Sequence, residues 1–96
     1  MKIQSIVIKG SKYKIYFDNK YTEKYGNSSD GHINYDTKKI YIDVKLDSKR
    51  RKEVLLHELG HAIFAECSLY QVINSQVQEI VVDQFAIVFV DLFFKD

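Results

Sequence analysis

The first half of the chain alternates apolar and polar residues with a period of two, which is typical of half-buried β-strands. Runs rich in β-branched and aromatic residues predict four strands, at 3–8, 13–17, 32–35 and 40–44. Polar turns at 9–12 and 36–39 join these strands into two hairpins. The segment 18–31 between the hairpins is polar and rich in glycine, asparagine and serine, which predicts a long loop.

The second half places apolar residues three and four positions apart, which predicts two helices. Asp47 or Ser48 can cap the first helix, which continues to about Glu66. Ser75 is the predicted N-cap of the second helix, and Gln78 can reach back to it as the partner in a capping box.

The second helix runs to about Phe94 and is apolar on several sides rather than along one stripe. Such a helix is buried on two sides or covers a partner. In a chain of 96 residues this pattern favours a homo-oligomer formed through the apolar C-terminal helix. The complete pattern predicts an α+β fold, in which a small, largely antiparallel sheet of two hairpins packs on two helices in a single domain, 1–96.

Composition narrows the class of protein. The chain is 46% hydrophobic and 28% charged, as in ordinary soluble domains. Its net charge of +1 gives no support to a nucleic-acid binder. Cys67 is the single cysteine, which excludes an intrachain disulfide. A short chain without disulfides needs a good core, a metal or a partner chain.

The sequence contains no segment typical of membrane insertion or secretion. Polar residues interrupt the N-terminal apolar stretch, which is therefore unlike a signal peptide. Asp83, Gln84 and Asp91 interrupt the apolar stretch 80–94, which is also too short to span a bilayer comfortably. These features predict a cytoplasmic protein with no membrane partner.

Residues 57–61 read HELGH, an H-E-x-x-H motif inside the first predicted helix. His57 and His61 are four positions apart and so share one helix face, where both imidazoles can reach the same metal ion. Two imidazoles and a carboxylate favour Zn²⁺ with a fourth position left for water. Glu58 follows the first histidine and can take a proton from that water as general base.

A third metal ligand must come from outside the motif. Glu79 on the second helix is the better candidate, and Asp83, four residues on, can orient a histidine ligand. Asp83 or Glu66 is the next choice of ligand. In the longer pattern H-E-x-x-H-x-x-G-x-x-H, the glycine and third histidine would stand at Phe64 and Cys67, so that arrangement is disfavoured. A lone cysteine is more often a small buried residue than a ligand.

The chain resembles small zincin-like metallopeptidases, short proteins often encoded by bacteriophages and prophages and similar to minimal SprT-like and ImmA/IrrE-like domains. The resemblance covers about 31–94 and lies in three segments, YID at 41–43, LLHELGHAI at 55–63 and EIVVDQFA at 79–86. In gluzincins the glutamate ligand and a supporting aspartate also stand four apart on one helix. The resemblance thus implies Glu79 as the third ligand and Asp83 as its support. Ile80 stands where many relatives carry a second acid.

Two functions are predicted from these features. The first is a zinc metallopeptidase that hydrolyses a peptide or protein substrate, with Glu58 as the base that activates the zinc water. The alternative is a non-catalytic zinc-binding or peptide-binding module of phage origin that acts through protein–protein interaction. A third idea is an interaction protein whose apolar last helix docks into a larger assembly.

Two further features have an ordinary and a functional interpretation. A basic cluster at 45–52 is either a solvated face or a surface that steers an acidic peptide or a phosphate backbone. His32, Tyr35 and Tyr41 are either plain strand residues or groups that stabilise an oxyanion in the cleft.

Overall fold

The strands precede the two long helices along the chain, as the hydrophobic pattern predicts. The computed structural model describes residues 2–93. The elements in order are β1 (Lys2–Ile8), β2 (Ser11–Asp18), α1 (Tyr21–Tyr25), β3 (Gly31–Asn34), β4 (Lys39–Asp43), α2 (Ser48–Glu66), a 3-10 turn (Leu69–Gln71) and α3 (Ser75–Phe93). The α+β class is confirmed, and the predicted end of the second helix at Phe94 lies outside the described residues.

Two hairpins lie side by side in one sheet. Lys9 and Gly10 turn the first hairpin, and both have positive φ, 48° and 83°, as a tight two-residue turn requires. The strand order is β1-β2-β4-β3. β2 and β4 pair in parallel where the hairpins meet, and the other two pairings are antiparallel. The sheet is therefore largely antiparallel, and β3 forms one of its edges.

The polar segment after β2 contains a helix where the sequence predicts only a loop. α1 has five residues, too few for a helical period to show in the sequence. Tyr21 anchors it, because this side chain is fully buried and its hydroxyl lies 2.7 Å from Nδ1 of His32. Lys24 adds an ion pair to the buried carboxylate of Asp18 at 2.8 Å. Tertiary contacts, rather than amphipathic spacing, hold this turn of helix.

The two faces of the sheet carry different residues because side chains alternate along each strand. One face packs on α2 and forms the core, with Tyr13, Ile15, Ile40 and Ile42 against Val54 and Ala62. The opposite face carries a row of rings. Tyr41 stacks on Tyr16 at 5.2 Å between ring centroids and on His32 at 4.9 Å.

α2 begins where the sequence predicts and lies between the sheet and α3. Asp47 is its N-cap, since the Asp47 carboxylate accepts a hydrogen bond of 2.9 Å from the backbone N–H of Arg50. Val54 and Ala62 are buried on the side that faces the sheet. Glu58 and His61 are also buried, although they are ionisable. These buried ionisable side chains of α2 need polar partners.

α3 packs chiefly on α2, which in turn packs on the sheet. Gly60 permits the close approach, because a Cβ atom there would lie 2.8 Å from Cγ1 of Val82. Asn74, not Ser75, caps α3, and its side chain accepts from the backbone N–H of Val77 at 2.9 Å. Asparagine is as good an N-cap as serine, so the sequence signal was ambiguous by one position.

The outer side of α3 is apolar and exposed. Its exposed large side chains are Val77, Ile80, Phe85, Ile87, Val88 and Leu92. The broad apolar character that the sequence shows is therefore real, and a homo-oligomer through this helix stays a prediction. Neither long helix within residues 2–93 is apolar enough over sufficient length to cross a membrane.

Candidate metal centre

α2 turns both histidines of the HELGH motif toward α3. His57 and His61 are one helical turn apart, and their ring centroids lie 4.8 Å from each other. Their Nε2 atoms are 3.2 Å apart. The helical period brings the two nitrogens together, as the spacing in the sequence predicts.

Glu79 on α3 completes a group of three side chains, His57, His61 and Glu79, each of which offers one atom that can donate electrons to a metal ion. We call these three residues the donor group. One of its carboxylate oxygens is 2.9 Å from Nε2 of His61, and the other is 3.5 Å from Nε2 of His57. Among the described residues, these three offer ligand atoms that all lie within 4.8 Å of one another. Glu79 is 55% exposed on its side chain, so the group opens toward solvent.

The outer nitrogen of each ring is held by a separate acceptor on α3. Nδ1 of His57 donates to the Asp83 carboxylate at 2.8 Å, and Nδ1 of His61 donates to Oε1 of Gln78 at 2.9 Å. These oxygens accept, so the hydrogen-bond network assigns both ring protons to Nδ1. Both Nε2 lone pairs and the Glu79 carboxylate then face one another as acceptors. A divalent cation fits this donor set, because it would neutralise three acceptors that converge on one another.

Gln78 is the site residue that sequence reasoning missed. The sequence suggested a capping box, but its side chain turns inward to His61 and is buried. One signal was present, because Gln78 begins the spacing that continues through Val82, Ala86 and Val90 on the buried side of α3. A polar amide on a buried stripe needs a partner, and His61 is that partner.

Glu58 lies beside the histidines in the sequence and lines the same cavity as His57. It is 7% exposed, and burial raises the pKa of its carboxyl, while His57 and His61 act in the opposite direction. With His57, Asp83 and Gly31 it lines a cavity of about 460 Å³. This arrangement sets a proton acceptor at the wall of a cleft that a substrate can enter.

The weaker ligand candidates lie elsewhere. Glu66 accepts a hydrogen bond of 2.6 Å from the hydroxyl of Tyr13 and lies 3.5 Å from Nζ of Lys38. These groups lower the pKa of the Glu66 carboxyl, with the Tyr13 hydrogen bond as the largest cause. Cys67 is exposed at the C-terminal end of α2. The group of three donor atoms includes neither residue.

The three aromatic candidates separate by the face of the sheet on which they lie. His32 and Tyr41 belong to the row of rings opposite α2. Burial lowers the pKa of His32, and its Nδ1 lies within hydrogen-bond distance of the hydroxyl of Tyr21. Tyr35, just beyond β3, lines a cavity of about 320 Å³ together with His61 and Gln78. Tyr35 thus shares a cavity with His61, a residue of the donor group.

The basic cluster at the start of α2 is partly used in internal contacts. The Arg50 guanidinium lies 3.0 Å from Asp30 and 3.4 Å from Glu53, and these carboxylates raise its pKa. Arg51 donates to the backbone carbonyl of Val44 at 2.9 Å. These contacts tie the start of α2 to the segments that precede it.

Comparison with known proteins assigns the family. The family model for the IrrE N-terminal-like domain, Peptidase_M78, matches residues 12–87, more than three-quarters of the chain. The matched range contains the HELGH motif and all of the donor group described above. The chain has no significant match among curated proteins or among solved structures. The family match, together with the histidine and carboxylate group inside it, shows that the chain belongs to the Peptidase_M78 family of IrrE N-terminal-like metallopeptidase domains.

Proposed function

We propose that the protein is a zinc-dependent peptidase in which His57, His61 and Glu79 hold the metal. The observation that carries this proposal is the convergence of three acceptors, with both ring protons directed away from them. Zinc bonds of about 2.0–2.1 Å in a tetrahedron place ligand atoms about 3.3 Å apart. The 3.2 Å between the two Nε2 atoms is close to that spacing, and one oxygen of Glu79 lies 2.9 Å from Nε2 of His61.

When bound, zinc would polarise the scissile carbonyl and make the attacking water more acidic. Glu58 takes the proton that the water loses as its oxygen bonds to the carbonyl carbon. Glu58 then gives that proton to the leaving nitrogen as the carbon–nitrogen bond breaks, so the carboxyl ends the cycle as it began. Burial raises the pKa of the Glu58 carboxyl, which suits both steps. The raised pKa is closer to the pKa values of the groups with which Glu58 exchanges the proton.

The proposed substrate is a peptide or protein bound in extended form. Within residues 2–93, β3 pairs only with β4, so its other edge offers backbone donors and acceptors. Gly31 at the start of β3 lines the same cavity as His57 and Glu58. A peptide added beside β3 therefore passes the donor group, and main-chain hydrogen bonds would hold it there.

The test replaces Glu58 with glutamine and measures bound metal and peptide hydrolysis on the same preparation. Because the amide of a glutamine cannot accept the proton, we expect the turnover rate to fall about 10²–10⁴-fold with one zinc still bound per chain. Glu23→Gln, at an exposed position of α1, is the matched control and should leave both readouts unchanged. A Glu58→Gln variant as active as the parent would remove Glu58 from the mechanism.

The alternative is a non-catalytic module in which the metal only joins α2 to α3. The observation in its favour is that α3 packs chiefly on α2, so a metal between these helices would hold α3 in place. Zinc bound at His57 and His61, with no hydrolysis of any peptide in a diverse library, would favour this alternative. Loss of zinc in a His57→Ala/His61→Ala variant establishes the site in either case.

A further inference from the structure

Two cavities adjoin the donor group, each beside a different histidine. One, of about 460 Å³, is lined by His57, and the other, of about 320 Å³, by His61. Gly31 at the start of β3 lines the first, and Tyr35, directly after its end, lines the second. Four residues of strand cover about 13 Å. An extended peptide beside β3 would therefore place side chains at both cavities.

The walls of the two cavities differ in chemistry. The cavity beside His57 carries charged groups from three segments, namely Asp30, Arg50, Glu53 and Asp83. The cavity beside His61 has the rings of Tyr13 and Tyr35 and the methyl group of Ala65. The first suits polar side chains or solvent, whereas the second has the mainly apolar lining of a side-chain pocket.

Three of the polar groups that line the second cavity, those of His61, Tyr13 and Glu66, already have partners. The His61 ring is bonded to Gln78, and the Tyr13 hydroxyl is bonded to Glu66. Lys38 lies 3.5 Å from the same Glu66 carboxylate and offsets its charge. A charged side chain that entered would lose water without gaining a free partner, whereas an apolar side chain would lose nothing.

Size and access fit one large side chain. Tyr13 is 1% exposed and forms a fixed wall, whereas Tyr35 is 47% exposed and stands at the opening. A volume of about 320 Å³ lies at the lower end of the range for ligand pockets. Aromatic rings on two sides also favour an aromatic guest in an edge-to-face arrangement.

We infer that this cavity is a specificity subsite that accepts one large apolar side chain, aromatic or branched aliphatic, next to the bond that is cleaved. The inference rests on the proposed peptidase function and adds the class of substrate. Tyr35 and Ala65 are the residues that set the size of the subsite, and neither belongs to the donor group.

The experiment maps cleavage sites in a degenerate peptide library with the zinc-loaded protein. We expect large apolar residues at one position beside the cleaved bond, preferred over alanine by about 10–200-fold in kcat/KM. Ala65→Leu fills the cavity and should shift the preference at that position to small residues. Cys67→Leu, exposed at the end of the same helix, is the matched control and should leave the preference unchanged.

A second readout does not depend on turnover. Peptides that differ only at the mapped position, carrying phenylalanine, alanine or lysine, are titrated into zinc-loaded Glu58→Gln protein by calorimetry. The phenylalanine peptide should bind at least about tenfold more tightly than the other two, and Ala65→Leu should abolish the difference. Zinc content and thermal midpoint of each variant show that it is folded. Tyr35→Ala opens the same pocket from the exposed side and should also weaken the preference.

The outcomes separate the two proposals. Hydrolysis with no preference at any position, or a preference for lysine, overturns the subsite and leaves the peptidase function standing. A zinc-loaded protein that neither hydrolyses nor binds any peptide overturns the peptidase function and the subsite with it. An apolar preference that Ala65→Leu leaves unchanged places the pocket elsewhere and overturns the assignment of this cavity.

Discussion

α2 has two interfaces, and they are built on different principles. Toward the sheet it buries aliphatic and aromatic side chains, among which Ile40 and Ile42 are fully enclosed. Toward α3 it also buries apolar groups, but the same interface carries the histidines and their carboxylate and amide partners. Apolar burial stabilises the first interface, together with the hydrogen bond from Tyr13 to Glu66. The second sets acceptors against one another, so the proposed metal would add to its stability.

Removal of the metal is the strongest test of this difference. We expect a chelator to expose the backbone amides of 75–93 to hydrogen exchange and to leave those of 11–18 and 39–43 protected, because only α3 is held through the donor group. At a thousandfold excess of free metal over its dissociation constant, binding adds about 4 kcal/mol to the free energy of unfolding. Hydrogen exchange followed by mass spectrometry resolves the two regions.

The control for metal removal is His57→Ala/His61→Ala in the presence of zinc. It should show the exchange pattern of the chelated parent, because it lacks two of the three donors. Full protection of 75–93 in the chelated parent would contradict the comparison and show that apolar contacts suffice to hold α3.

A cavity in the sheet interface should have a large effect that is independent of metal. Ile42→Ala deletes fully buried methyl groups, and we expect it to lower the free energy of unfolding by about 2–5 kcal/mol, equally with and without chelator. Urea denaturation measures both values. Ile80→Ala is the matched control, since the same deletion on the exposed side of α3 should cost under about 0.5 kcal/mol. A large cost there would instead show that a second chain covers this side of α3 in solution.

Gly60→Ala tests the α2–α3 interface through packing alone. Alanine is the better helix former by about 1 kcal/mol, but its Cβ would lie 2.8 Å from Cγ1 of Val82 and 3.1 Å from Cβ. We expect a net loss of about 1–3 kcal/mol and weaker metal binding, because α3 must move away. Calorimetric titration with zinc measures the affinity. Val82→Ala in the same chain should restore it, and a Gly60→Ala variant with raised stability and unchanged affinity would contradict the close packing.

The sequence predicts local features of the fold and site better than the contacts between distant elements. The bounds of α2 and the convergence of His57 and His61 follow from helical period and capping, which act within a few residues. The element on which α3 packs cannot be predicted in this way, because an apolar helix has the same pattern whether it covers a sheet or another helix. The role of Gln78 was not predicted for the same reason, since the direction of its side chain depends on the His61 imidazole, 17 positions away in the chain. α1 was missed because buried Tyr21, not a repeating pattern, holds it.

The smallest predicted effect concerns the pH dependence of an ion pair next to the sheet, away from the donor group. The Lys24 ammonium, at 2.8 Å, and the Lys20 backbone N–H, at 2.9 Å, both bond the Asp18 carboxylate. The Lys24 hydrogen bond is the largest cause that holds the pKa of Asp18 below its ordinary value of 3.8. A carboxyl with a lowered pKa stabilises the fold at neutral pH, and that contribution is lost as the pH falls through the folded-state value.

Lys24→Met should therefore lower the urea midpoint at about pH 6 by less than Gly60→Ala does, and the difference from the parent should shrink as the pH falls below about 4. The measurement uses chelated protein, so that a pH-dependent change in metal binding does not mask the effect. Lys20→Met is the control, since it removes the same charge but keeps the backbone N–H on Asp18. A Lys24→Met deficit that grows toward acid pH would reverse the sign expected for this ion pair and assign the acid sensitivity of the sheet to another carboxyl.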